Sequence, residues 1–272
     1  QLTFHRCDGS TWQKTTLAKG SSYSLPGVRD AEGYTFMGWS TKPMQSVSPQ
    51  YEAEEKITVN GNVDLYAVVF NRTTETDLTE DQLPQVDIYK YKQVIFVGDS
   101  RTEFMENVLT GMGESATKNV KFVCSAGKGL DWFTTTGWAQ LYSIVQHDSN
   151  SILSKKTAVI FNFGVNDLSK SADYAEYYNW IAPQLKSKGC ELYFMSVNPV
   201  NRLMLPNAGR ADRSEAAVRS FNQYMKANLS SAYTYIDMYS YLKSTGYSFA
   251  SDHYGTGTVD DGLHYTTRTY KR

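Results

Sequence analysis

Val94-Ile95-Phe96-Val97-Gly98-Asp99-Ser100 is the stretch on which the reading of this chain turns. Its apolar residues run without a polar break, as in a strand covered on both faces. Gly-Asp-Ser then suits a strand-to-helix turn, with the serine as a helix cap. The same grammar recurs downstream. Near-continuous apolar runs at 94–98, 120–125, 157–164, 191–199 and 233–239 read as five strands. Helical candidates fall between them, at about 102–112, 132–147, 172–188 and 210–229. The last carries Ala216, Ala217, Phe221, Tyr224 and Met225 at helical spacing, with Asp212 or Ser214 as cap. Pro183 should start or kink a helix rather than sit inside one. Five strands and four crossovers predict a doubly wound α/β domain, in which sites lie at the carboxyl ends of the strands.

Upstream the pattern differs. Residues 1–70 read as short strands broken by turns such as Asp8-Gly9-Ser10, Pro26-Gly27 and Asn60-Gly61-Asn62. Residues 71–88 are polar, acidic and rich in threonine, which is linker chemistry. Three parts are therefore expected: a β-rich module at 1–70, a linker at 71–88 and the α/β domain at 89–272. The first contains Thr11-Trp12, Leu25-Pro26, Gly33-Tyr34-Thr35-Phe36-Met37-Gly38-Trp39-Ser40 and Ile57-Thr58-Val59, running on to Leu65-Tyr66-Ala67-Val68. On these residues it resembles the internalin B-repeat (Listeria–Bacteroides repeat), a small β-grasp unit of bacterial surface proteins. That resemblance implies an exported spacer or adhesion module with a surface or cell-wall partner.

Short polar motifs stand where the strands of the α/β domain end. They are Gly98-Asp99-Ser100, Ser125-Ala126-Gly127-Lys128-Gly129, Gly164-Val165-Asn166-Asp167 and, after the fifth strand, Asp261-Gly262-Leu263-His264. Each alone has a plain explanation as a turn or a cap. Together they can form a nucleophilic site. An Asp three residues before His264 can hold the Nδ1 of that ring, leaving Nε2 to take the proton of Ser100. The Asn166 amide and the N–H groups of Gly129 and Ser100 can then face an oxyanion. On these residues the stretch from about 92 to the end resembles the SGNH (GDSL-like) hydrolases. The resemblance implies a flavodoxin-like three-layer fold, with Ser100, Gly129, Asn166 and His264 as signature residues and Asp261 as the acid. Gly127 is an alternative for the glycine. Arg101 stands where many relatives carry Leu, and either contacts substrate or makes a local ion pair.

His253 and Tyr254 precede the Asp-x-x-His motif and are candidates for lining a pocket. His5 lies in the β module, and His147 at the end of a helix, where a surface role is the simpler reading. Cys7, Cys124 and Cys190 are too scattered for a disulfide framework. No spacing suits a metal, so neither metal nor cofactor is expected. A net charge of −1 gives no footprint for nucleic acid, and no apolar run approaches the ~20 residues of a membrane span. The chain opens on Gln1, so an export signal is expected to lie outside it. The function expected is that of a secreted or cell-surface bacterial serine esterase without cofactor. Its substrate would be an O-acetyl or other short acyl ester on carbohydrate, a choice favoured by an aromatic stretch of Tyr247, Phe249, His253, Tyr254 and Tyr265. The rivals are a lipase- or lysophospholipase-like esterase, an O-acyltransferase and an inactive adhesion protein.

Overall fold

The computed structural model describes residues 1–74, 91–113, 118–148, 156–205, 213–250 and 261–271. They form two compact units that do not follow chain order. One is Gln1–Asp77 with Pro199–Ala216 and Tyr239–Thr269, and the other is Leu78–Asn198 with Ala217–Met238 and Tyr270–Arg272. Most of the linker expected at 71–88 lies outside the described residues.

The first unit begins with β1 (Leu2–His5), β2 (Thr11–Thr15), β3 (Ser21–Ser24), β4 (Tyr34–Ser40), β5 (Lys56–Val59) and β6 (Val63–Asn71). Four of these make a sheet in the order β2-β1-β6-β4, and β3 pairs with β5. The outermost strands in sequence, β1 and β6, lie side by side and parallel, the remaining pairings being antiparallel. Leu2, Phe4, Leu25, Phe36, Trp39, Val59 and Leu65 form its core. The buried Trp39 indole donates to the Pro26 carbonyl at 2.9 Å, which satisfies its N–H away from water. Gly38 next to it has φ 140°, and a Cβ there would lie 2.5 Å from the Tyr51 carbonyl oxygen. The Gly-Trp pair of the sequence motif is thereby explained: the strand can pass Tyr51 only without a side chain.

Two later segments complete this unit. Their centre is Lys243, buried in a helix Met238–Thr245. Its ammonium lies 2.8 Å from both Glu215 and Glu52 and donates to the Met37 carbonyl at 2.9 Å. Glu215 also accepts from the Tyr239 hydroxyl (2.6 Å) and the Val200 N–H (3.1 Å). A charge so deeply buried is tolerated only when paired and hydrogen-bonded. Glu52 and Met37 come from the β module, whereas Glu215 and Lys243 come from far along the chain.

The second unit holds a parallel sheet of β7 (Tyr91–Gly98), β8 (Val120–Cys124), β9 (Lys156–Asn162), β10 (Cys190–Met195) and β11 (Tyr233–Ile236), in the order β11-β10-β9-β7-β8. That is the flavodoxin-like order, which reverses direction at β7 and β9 and so opens a crevice beyond their carboxyl ends. Its helices include α1 (Ser100–Gly111), α2 (Trp138–Asp148), α3 (Ser171–Ser187) and, from Ala217 on, α4 (Glu215–Asn228). The sheet and most of the helices stand where the apolar runs put them. Two expectations are corrected. Pro183 lies inside α3, near its last turn, so it removes one N–H without ending the helix. In α4 the buried face is Val218, Phe221 and Met225, while Tyr224 is exposed.

Candidate active site

The serine side is built from the crevice upward. Gly98 ends β7, and a Cβ there would collide with the Thr102 hydroxyl at 1.9 Å and the Asn162 carbonyl at 2.8 Å. Asp99 caps α1, its Oδ1 accepting from the Arg101 N–H at 3.0 Å. The helix capped by Asp99 begins at Ser100, so the cap is the residue before the serine, and Ser100 stands at a helix N-terminus where N–H groups point outward. Ser100 itself is buried. The Arg101 guanidinium is buried too, and donates to the Asn198 carbonyl at 2.9 Å.

Gly129 and Asn166 meet beside this turn's sheet edge. The Asn166 amide donates to the Lys128 carbonyl at 2.7 Å, which fixes the plane of its NH2 group. A Cβ on Gly129 would fall 2.3 Å from Asp167 Oδ2. Gly127, with φ 70° and open space around it, serves a left-handed turn. Gly129 is therefore the glycine packed against the Asn166-Asp167 turn. Sequence reasoning passed over Asp167 as an ordinary cap. Its carboxylate instead accepts from the Leu130 N–H at 2.9 Å and the Tyr174 hydroxyl at 2.7 Å, stitching the two loops together. Burial raises its pKa, against the lowering effect of those two hydrogen bonds. Nothing short of the fold could have distinguished it from a cap.

The histidine side is built in the other unit. His264 is fully buried, and its Nδ1 lies 2.6 Å from Asp261 Oδ2. A carboxylate only accepts, so Nδ1 carries the hydrogen and Nε2 is the basic nitrogen. The other oxygen of Asp261 accepts from the N–H groups of Leu263 (2.8 Å) and His264 (2.7 Å), which locks the carboxylate plane. The His264 carbonyl accepts from the Ala250 N–H at 2.7 Å, and the Asp261 N–H donates to the Ala250 carbonyl at 3.1 Å.

Three of the aromatic residues expected to face a sugar do not. Tyr247, Phe249 and Tyr265 are buried and pack on one another, Phe249 stacked on Tyr265 at 5.5 Å. They are the core behind His264, and period-free aromatic content could not tell a core from a binding face. His253 and Tyr254 lie outside the described residues. The Cys124 thiol is half-buried and held against Glu106, and burial with that contact pushes its pKa up to about 12, so it is no nucleophile. Among the described residues no group of His, Cys, Asp and Glu could hold a metal ion, and no helix is long and apolar enough to cross a membrane.

Residues 1–68 match the family model of the Listeria-Bacteroides repeat domain. No curated protein matches the chain by sequence. Solved structures similar to it include a protein of Bacteroides fragilis named provisionally as an acylhydrolase (15% identity, TM-score 0.45, covering 73% of this chain and 86% of that one). An acetyl xylan esterase is similar at 12% identity and TM-score 0.42, over 66% of this chain and 94% of its own. So is the C-terminal catalytic domain of Streptococcus pneumoniae peptidoglycan O-acetyltransferase A, at 16% identity and TM-score 0.37, over 66% and 89%. Likeness at that level bears on neither the chemistry nor the substrate of this chain.

Proposed function

We propose that this chain is a serine esterase of the SGNH type, working through an acyl-enzyme. The observation that carries the reading is the buried Asp261–His264 pair, because an imidazole held by its Nδ1 on a locked carboxylate is a base prepared at Nε2. Ser100 Oγ attacks the ester carbonyl and His264 takes its proton. The alcohol leaves with that proton, and His264 then draws a proton from the water that releases the acid from Ser100. The oxyanion is assigned to the N–H groups of Ser100 and Gly129 and to the Asn166 side chain, an amide with two donors whose bond to Lys128 fixes its direction. The substrate we assign is an acetyl or other short acyl ester on carbohydrate at the bacterial surface. That choice now rests on the repeat module alone, since the aromatic residues behind His264 are core.

The test is Ser100→Ala. Hydrolysis of p-nitrophenyl acetate should fall by about a millionfold. Circular dichroism should be unchanged, and a fluorophosphonate should label the parent chain at Ser100. Wild-type turnover in the folded variant would remove Ser100 from the mechanism.

A further inference from the structure

We infer that Asn201 is a positioning residue for His264, and that it acts by tying the Asp261–His264 loop to the N-terminal repeat. The catalytic meaning of this tie rests on the esterase reading; the tie itself does not. All the residues concerned belong to one compact unit.

The Asn201 N–H donates to the Gly262 carbonyl at 2.8 Å. Gly262 stands between Asp261 and His264 with φ 67°, and a Cβ on it would lie 2.4 Å from the Asn201 carbonyl oxygen. The two backbones are thus in direct contact at the residue that joins the carboxylate to the imidazole. The Asn201 side chain points to the repeat. Its NH2 donates to the Val28 carbonyl at 3.1 Å and to Asp30 Oδ1 at 3.0 Å, while its oxygen accepts from the Leu203 N–H at 3.2 Å.

Asp30 is itself a fixed point. It pairs with Arg72 at 3.1 Å and accepts from the Phe36 N–H at 2.9 Å, and Phe36 belongs to the core of the repeat. Ala250 holds the loop on its other side. Losing the Asn201 side chain would release from the repeat the segment whose backbone holds Gly262 and, at Pro199, accepts from the Tyr265 hydroxyl. A shift of about 1 Å in a catalytic group costs on the order of a hundredfold in rate. The repeat, expected to be a spacer or adhesion module, is by this inference part of what orients the base.

The experiment uses the full chain. Asn201→Asp sets a carboxylate against Asp30 and should lower kcat on p-nitrophenyl acetate by about tenfold to a hundredfold, with KM within about twofold of the parent. The low-field proton resonance of the His264 Nδ1–H should shift or broaden. Asn201→Ala, which removes both donors without adding charge, should move kcat and the resonance in the same direction, while Asn201→Gln, which keeps the amide, should stay nearer the parent in both, a pattern that general loss of stability would not give. A chain without esterase activity whose resonance still answers to Asn201→Asp and to Asn201→Ala would sink the esterase reading and keep the tie. A folded Asn201→Asp with parental kcat and an unmoved resonance would overturn the inference. Should that variant not fold, Asn201→Ala is read the same way.

Discussion

The two sets of residues proposed for the site, each within its own unit, are made by different means. The serine half is local: Gly98, Asp99 and Ser100 are consecutive, and the partners of Gly129 and Asn166 lie in the loops after β8 and β9, the two strands that flank β7. The histidine half is assembled from three distant stretches of chain, whose buried charges and hydrogen bonds run from Asp30 and Glu52 to Lys243 and Gly262. A strand-end turn tolerates change elsewhere in the molecule. A side chain held by long-range packing does not, so the N-terminal repeat and His264, the proposed base, should fail together.

The hardest test is removal of residues 1–70. The remaining chain should show no measurable hydrolysis of p-nitrophenyl acetate, because Lys243 and Glu215 lose the Glu52 carboxylate and the Met37 carbonyl. The sheet unit should still give a parallel-sheet circular dichroism signal. Full activity in that truncation would mean that the histidine half stands without the repeat.

A contrast of two variants sharpens the comparison next. Asp261→Asn should lower turnover by up to about ten-thousandfold, because the amide favours the wrong tautomer of His264. Asn166→Ala should cost about a hundred- to a thousandfold, with little change in KM, as removal of one oxyanion donor does. Steady-state kinetics on one activated ester separates them; a raised KM with unchanged turnover in Asn166→Ala would make it a ground-state binding residue.

The smallest effect expected is a difference in pH response. Burial alone would raise the pKa of Glu215, but the charge of Lys243 and the bonds from Lys243, Tyr239 and Val200 outweigh it and hold the group below the ordinary Glu value. Such a carboxylate contributes stability above its unfolded pKa and loses it as pH falls through the folded value. Asp167 has the opposite sign, since burial raises its pKa: its contribution is full below the unfolded value and is lost as pH rises through the folded one. Urea unfolding between about pH 7 and about pH 3 should therefore show the acid loss flattened in Glu215→Gln and steepened in Asp167→Asn. Parallel slopes for both variants would count against this assignment.

The sequence by itself determined the parallel sheet and its helices, and it singled out the residues proposed for each half-site. Apolar runs, glycine stops and the three-residue offset of Asp261 from His264 are short-range signals, and burial on both faces of a strand leaves a direct trace in composition. It also carried the repeat, through a Gly-Trp pair whose glycine has no room for a side chain. Only the tertiary structure decided that Tyr247, Phe249 and Tyr265 are core and that Asp167 bridges two loops. It alone joined Lys243, Glu215 and Asn201 to the repeat. Those facts depend on contacts between residues as much as 206 positions apart, such as Lys243 with Met37. A hydrogen bond of that span leaves no periodicity and no motif in either segment, because each partner is an ordinary polar residue until the fold removes both from water.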